Sequence, residues 1–257
     1  MPNQTISIKR IALTLIIASL VIGNIAQYLL LKDAQSKEYT ITFSQVIDLF
    51  HQISYQDPNT WMKNTWMGIP TLQNPNDVWI IQETISELKP DFVIEAGTYH
   101  GGSAIVWASI LSQVNPNGRV ITVDIEDHTE EARKVPIFQE KVDFLLGSST
   151  SPEIIDAIRK EIEGAKVVLV ILDSLHTKDH VLKEMELYSP LVTPGSYLIV
   201  QDTNMHGHPA ITECYPGPGP WEAVHDFLKQ TDQFKIDKSK ERLLFTMHPD
   251  GYLKKVK

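Results

Sequence analysis

Cysteine is nearly missing: Cys214 is the only one in 257 residues, so no disulfide can close within the chain and no thiolate cluster can hold zinc. Cationic residues are also scarce, with 23 Lys and Arg against 32 Asp and Glu and a formal charge of −9. A polyphosphate partner calls for a Lys/Arg-rich face, so nucleic acid is excluded and a small ligand fits better. Internal repeats and low-complexity tracts are absent too. The length leaves room for one α/β domain of roughly 200 residues and an N-terminal extension.

Charge vanishes altogether over "IALTLIIASLVIGNIAQYLLL", Ile11 to Leu31, which is bracketed by Lys9-Arg10 and Lys32-Asp33. A helix of about 21 residues rises roughly 32 Å, close to a hydrocarbon core of about 30 Å. The stretch is longer than the apolar region of a typical signal peptide and no small-residue cleavage site follows it. It is therefore expected to be an uncleaved single-pass membrane anchor, behind a tail at 1–10. Lys9 and Arg10 are balanced by Lys32 and Lys37, so charge leaves the orientation open.

After the anchor, residues 32–76 combine a helical pattern, "TFSQVIDLFHQI", with a loop rich in Pro, Asn and aromatic residues that suits a lid or pocket wall. Residues 77–257 form the expected catalytic domain. A helix "DVWIIQETISELK" opens it, with Asp77 as its N-cap and Pro90 as a stop. Short apolar runs then alternate with helical segments: "DFVIEAG", "RVITVDI", "DFLLG", "KVVLVILDS", "SYLIVQD" and a late "RLLFTMH". Fully apolar strands separated by helices predict a doubly wound, mainly parallel α/β sheet covered on both faces.

In such a sheet ligands sit beyond the carboxyl ends of the strands. The first end carries Glu95, Gly97, Tyr99, Gly101, Gly102 and Ser103. The Lys of a phosphate loop is missing before Ser103, and the G-x-G-x-x-G dinucleotide spacing fails after Gly97. A carboxylate at Glu95 would repel pyrophosphate but attract an ammonium or a sulfonium, and S-adenosylmethionine carries both. Asp124, at the second strand end, suits ribose hydroxyls. If the fourth and fifth apolar runs are neighbouring strands, as in most doubly wound sheets, the carboxylates of Asp173 and Asp202 converge and call for a divalent metal such as Mg²⁺. His176 on the same rim is placed to remove a proton from a hydroxyl.

These residues, in this order, resemble the family of rhamnosyl O-methyltransferases and proteins labelled cephalosporin hydroxylases, a branch of the S-adenosylmethionine-dependent class I methyltransferases. The likeness runs from about Asn64 to Lys255, through "NTWMGIP", "KPDFVIEAGTYHGGSA", "LDSLHTKDHVLKEMELYSPLVTPGSYLIVQDT", "GPGPWEAVHDFL" and "LLFTMHPDGYLK". It implies a seven-stranded Rossmann-like sheet. It further implies that Glu95, Gly97, Tyr99 and Ser103 hold the methionine end of the cofactor, Asp124 the ribose and Ser149 the adenine edge. Asp173 and Asp202 would bind the metal, with Asp173 on the cofactor side as well, and His176 would be the general base. The family commonly has Glu before the second Asp. Here that position is Gln201, whose amide oxygen can still ligate Mg²⁺ with one negative charge fewer.

The expected activity is O-methylation of a hydroxyl on a sugar or other polar small molecule, and the expected anchor suits a lipid-linked acceptor. The cytosolic source of the cofactor favours a cytoplasmic catalytic domain, and a homo-oligomer is compatible with the sequence. Two alternatives stand beside this reading. One is a hydroxylase, as the second family label suggests, although neither a two-His-one-carboxylate iron site nor a haem motif is evident. The other is a tethered binding protein that has lost catalysis, which Gln201 keeps open.

Overall fold

The computed structural model describes residues 19, 22–28, 32, 41–57, 59–205 and 217–257. The chain divides into two units, Met1–Phe43 and Ser44–Lys257. In the first, residues 22–28 are helical, with Ile22, Ile25 and Tyr28 exposed. The membrane anchor expected over residues 11–31 is not supported, because no helix among the described residues is long and apolar enough to cross a membrane. Apart from Ser19, the rest of 11–31 lies outside the described residues. The transmembrane helix, the membrane partner and the single-pass localisation with a cytoplasmic domain are corrected together on this finding.

The second unit holds the sheet. Five strands come from the apolar runs: β3 (Phe92–Ala96), β4 (Arg119–Asp124), β5 (Val142–Leu146), β6 (Val168–Leu172) and β7 (Tyr197–Val200). They pair in parallel, and β8 (Phe234–Ile236) and β9 (Tyr252–Lys255) complete the order β5-β4-β3-β6-β7-β9-β8, with β9 antiparallel to both its neighbours. A separate hairpin, β1 (Thr65–Trp66) and β2 (Ile69–Pro70), precedes them. The order reverses between β3 and β6, and a ligand crevice opens at such a reversal.

Side chains alternate across the strands, so one face of the sheet takes Ile94, Val170 and Leu172 and the other takes Val93, Leu169 and Ile171. The first face is covered by α5 (Pro152–Glu161), α6 (Lys178–Tyr188) and α7 (Pro220–Gln230), through Ile158, Met185 and Phe227. The second is covered by α2 (Pro75–Leu88), α3 (Gly102–Val114) and α4 (Pro136–Lys141), through Ile81, Trp107 and Phe138. Helix α1 (Phe43–Gln56) precedes them all. Burial on both sides explains why β6 reads as the unbroken "VLVIL".

Two local expectations change. Asn74 caps α2, its side chain accepting from Asn76 N, while Asp77 is fully buried. Asp77 instead accepts from Thr246 Oγ1, Met247 N and Tyr252 Oη. That pull explains the second change: "RLLFTMH" is irregular rather than a strand. Leu244 lies at φ +71° and is exposed, which breaks the extended run.

Candidate active site

The site begins where β3 ends. Gly97 has φ +100°, and a Cβ there would lie 2.0 Å from the Asp173 carbonyl oxygen, so only glycine lets the turn pass over the end of β6. Beyond it the backbone N–H groups of Thr98 and Tyr99 donate to Asp124 Oδ2 at 3.0 and 2.7 Å, tying the turn to the end of β4. Gly102 opens α3, where a Cβ would meet Thr71 Oγ1 at 2.1 Å and Pro70 O at 2.2 Å. Both glycines thus serve close approaches within the protein.

A cavity of about 690 Å³ opens over these strand ends. Gly97, Tyr99, Ser103, Asp124 and Ser149 line it toward β4 and β5, and Asp173, His176 and Asp202 line it toward β7. Glu95 and Gln201 do not. Glu95 is fully buried behind the turn, accepting from Trp107 Nε1 at 2.8 Å and Thr122 Oγ1 at 2.6 Å. Burial pushes its carboxyl up to about 7, and the hydrogen bonds from Thr122, Ser103 and Trp107 oppose that rise. A groove of about 660 Å³ also runs beside edge strand β5, but it gathers none of these strand-end residues.

At the β6–β7 end the rim carries two carboxylates and an imidazole. Asp173, His176 and Asp202 each offer a ligating atom within 4.8 Å of the others. His176 Nε2 lies 3.4 Å from Asp202 Oδ2 and 3.8 Å from Asp173 Oδ1. His176 precedes α6 rather than starting it, since Thr177 is the N-cap. Burial holds the Asp173 carboxyl well above its ordinary range, reinforced by the charges of Asp202 and Glu95. A cation would relieve that repulsion, and the oxygen-rich donor set fits a hard divalent ion such as Mg²⁺. One imidazole and two carboxylates are not the ligand set of a two-His-one-carboxylate iron centre.

Residues 58–256 match the model of the family described as Rhamnosyl O-methyltransferase/CmcI. The chain belongs to this family. It is 39% identical to the rhamnosyl O-methyltransferase of Mycobacterium tuberculosis (strain ATCC 25618 / H37Rv), over 75% of this chain and 78% of the relative. The protein of the same name from Mycobacterium leprae is 36% identical over 75% of this chain and 83% of its own. Among solved structures, that titled cmcI-D160 Mg-SAM superposes with a TM-score of 0.55 at 17% identity, over 76% of this chain and 78% of that one, a likeness of fold. The chain is thus an S-adenosylmethionine-dependent O-methyltransferase acting on a small polar substrate.

In this methyltransferase the rim is backed by residues that sequence reading does not single out. Gln73, ahead of α2, donates through Nε2 to Asp173 Oδ2 at 2.8 Å and to Gln201 Oε1 at 2.9 Å. His248 accepts from the backbone N–H of Asp202 at 2.9 Å, and Asp202 has φ +53°. Tyr55 and Trp61 pack edge to face, 5.9 Å between centroids, and line the cavity from α1 and the segment after it. Trp61 carries a signal, the aromatic loop read as a lid or wall. Gln73 carries none, because its partners lie 100 and 128 positions away. Residues 206–216, Cys214 among them, lie outside the described residues.

Proposed function

We propose that this O-methyltransferase moves the methyl group of S-adenosylmethionine to a ring hydroxyl of a rhamnosyl-type sugar, with a divalent cation at the rim. The observation that carries this reading is the continuous cavity from the Gly97 turn, past Asp124 and Ser149, to Asp173, His176 and Asp202. Gly97, Tyr99 and Ser103 take the methionine end of the cofactor, Asp124 the ribose and Ser149 the adenine edge. Glu95 supports the turn from behind through Trp107 and Thr122. Asp173 and Asp202 hold the cation, Mg²⁺ by the chemistry of their oxygens, and Gln201 supports them one layer back. When bound, the cation supplies Lewis acidity that orients and acidifies the acceptor hydroxyl.

His176 Nε2 takes the proton of that hydroxyl as its oxygen bonds to the methyl carbon. The carbon–sulfur bond breaks, and S-adenosylhomocysteine leaves. Tyr55 and Trp61 offer an aromatic wall to the C–H face of a sugar ring, and the names of the mycobacterial relatives favour rhamnosyl acceptors. The test is methyl transfer from labelled S-adenosylmethionine to methyl rhamnosides with and without Mg²⁺. His176→Phe is expected to lose about 10²- to 10⁴-fold in kcat, and Asp173→Asn to lose its response to Mg²⁺. Full Mg²⁺-dependent turnover in Asp173→Asn, or unchanged turnover in His176→Phe, would remove the corresponding role.

A further inference from the structure

Behind the rim, three buried polar atoms have no hydrogen-bond partner: Gln73 Oε1, Gln201 Nε2 and His248 Nε2. Their residues are 5%, 2% and 2% exposed, and a buried polar group left without a partner is destabilising. All three residues line one small cavity of about 20 Å³ beside Asp202. A single water needs roughly 10–15 Å³ and two to four polar partners.

The donors and acceptors identify the occupant. Asp202 N–H donates to His248 Nδ1, which leaves the ring proton on Nε2 and makes that atom a donor, with Asp77 Oδ2 3.8 Å away and beyond hydrogen-bond reach. Gln201 Oε1 is already taken by Gln73 Nε2, so Gln201 offers its N–H₂ and Gln73 its carbonyl oxygen. Two donors and one acceptor suit a small neutral molecule that both accepts and donates. A cation would face two N–H groups, and an anion would face an amide oxygen beside the Asp202 carboxylate.

We propose that Gln73, Gln201 and His248 bind one structural water, and that this water, by joining Gln73 to His248, fixes the spacing of Asp173 and Asp202. Gln73 reaches the Asp173 carboxylate directly, and His248 holds the peptide of Asp202 in its left-handed conformation. The water completes a hydrogen-bonded path between the two. An amide at position 201 then does what a carboxylate cannot, which is donate.

The positioning of the carboxylates matters to the cation assigned under the proposed function, whereas the water site stands apart from it. A high-resolution crystal structure of the full chain is expected to show one density peak about 2.7–3.2 Å from all three atoms. No peak, or amides turned to satisfy one another, overturns the water site whether or not a cation binds. Mn²⁺ affinity, read by electron paramagnetic resonance, is expected to fall about 10- to 100-fold in Gln201→Met. Unchanged affinity in a variant whose crystals have lost the peak overturns the positioning role. A Mn²⁺-soaked crystal in which Gln201 Oε1 touches the ion also overturns it, because the loss would then report direct ligation. A wild-type chain that shows the peak but binds no Mn²⁺ overturns both the positioning role and the cation of the proposed function, while leaving the water site intact.

Discussion

Glu95 is an acid with no water around it, and its two oxygens are occupied by Trp107 and Thr122. Burial raises it from 4.5 to about 7, so between those values the folded chain keeps a proton that the unfolded chain releases. The resulting stabilisation is complete below pH 4.5 and is lost as pH rises through 7, at about 1.4 kcal/mol per unit. Gln at this position still accepts from Trp107 and does not titrate. Urea unfolding at pH 5 and pH 7.5 should show the wild type losing about 1–3 kcal/mol relative to Glu95→Gln. An equal pH dependence in the two proteins would mean that Glu95 is not held protonated.

Elements meet at the turn between β3 and α3, where Gly97 crosses the end of β6. Gly97→Ala puts a methyl group 2.0 Å from the Asp173 carbonyl oxygen and forces a side chain into a left-handed backbone. Overpacking and backbone strain together should cost about 2–5 kcal/mol, measured by denaturant unfolding, and cofactor affinity should fall with it. The strands β6 and β7 are legible in the sequence because burial on both faces leaves them unbroken apolar runs, and β3, β4 and the part-buried edge strand β5 keep enough apolar residues to be read beside them. β8 and β9 are not, since each is short and carries lysine, at Lys235 and at Lys254 and Lys255. Asp124, Asp173 and Asp202 could be found because strand ends announce themselves. The orientation of Glu95 could not, because a carboxylate two residues before a glycine reads the same whether it faces a ligand or a tryptophan. Gln73 and His248 depend on contacts across the fold that no local pattern encodes.

At the scale of the whole molecule, the residues lining the large cavity belong to the unit Ser44–Lys257. A ligand that binds the folded chain alone stabilises it by mass action, about 2.7 kcal/mol at a hundred times its Kd. For a unit of this size that corresponds to about 5–10 °C in Tm. S-adenosylhomocysteine should raise the melting temperature by that amount in calorimetry, and a flat response would argue against the cofactor assignment of the cavity. The turn after β3 packs against the Asp173–Ser174 peptide, which leads from the carboxylate rim, so a shift in one is felt by the other. Occupancy of the two is then reciprocal: whatever factor the cation applies to the affinity for the cofactor, the cofactor returns to the affinity for the cation.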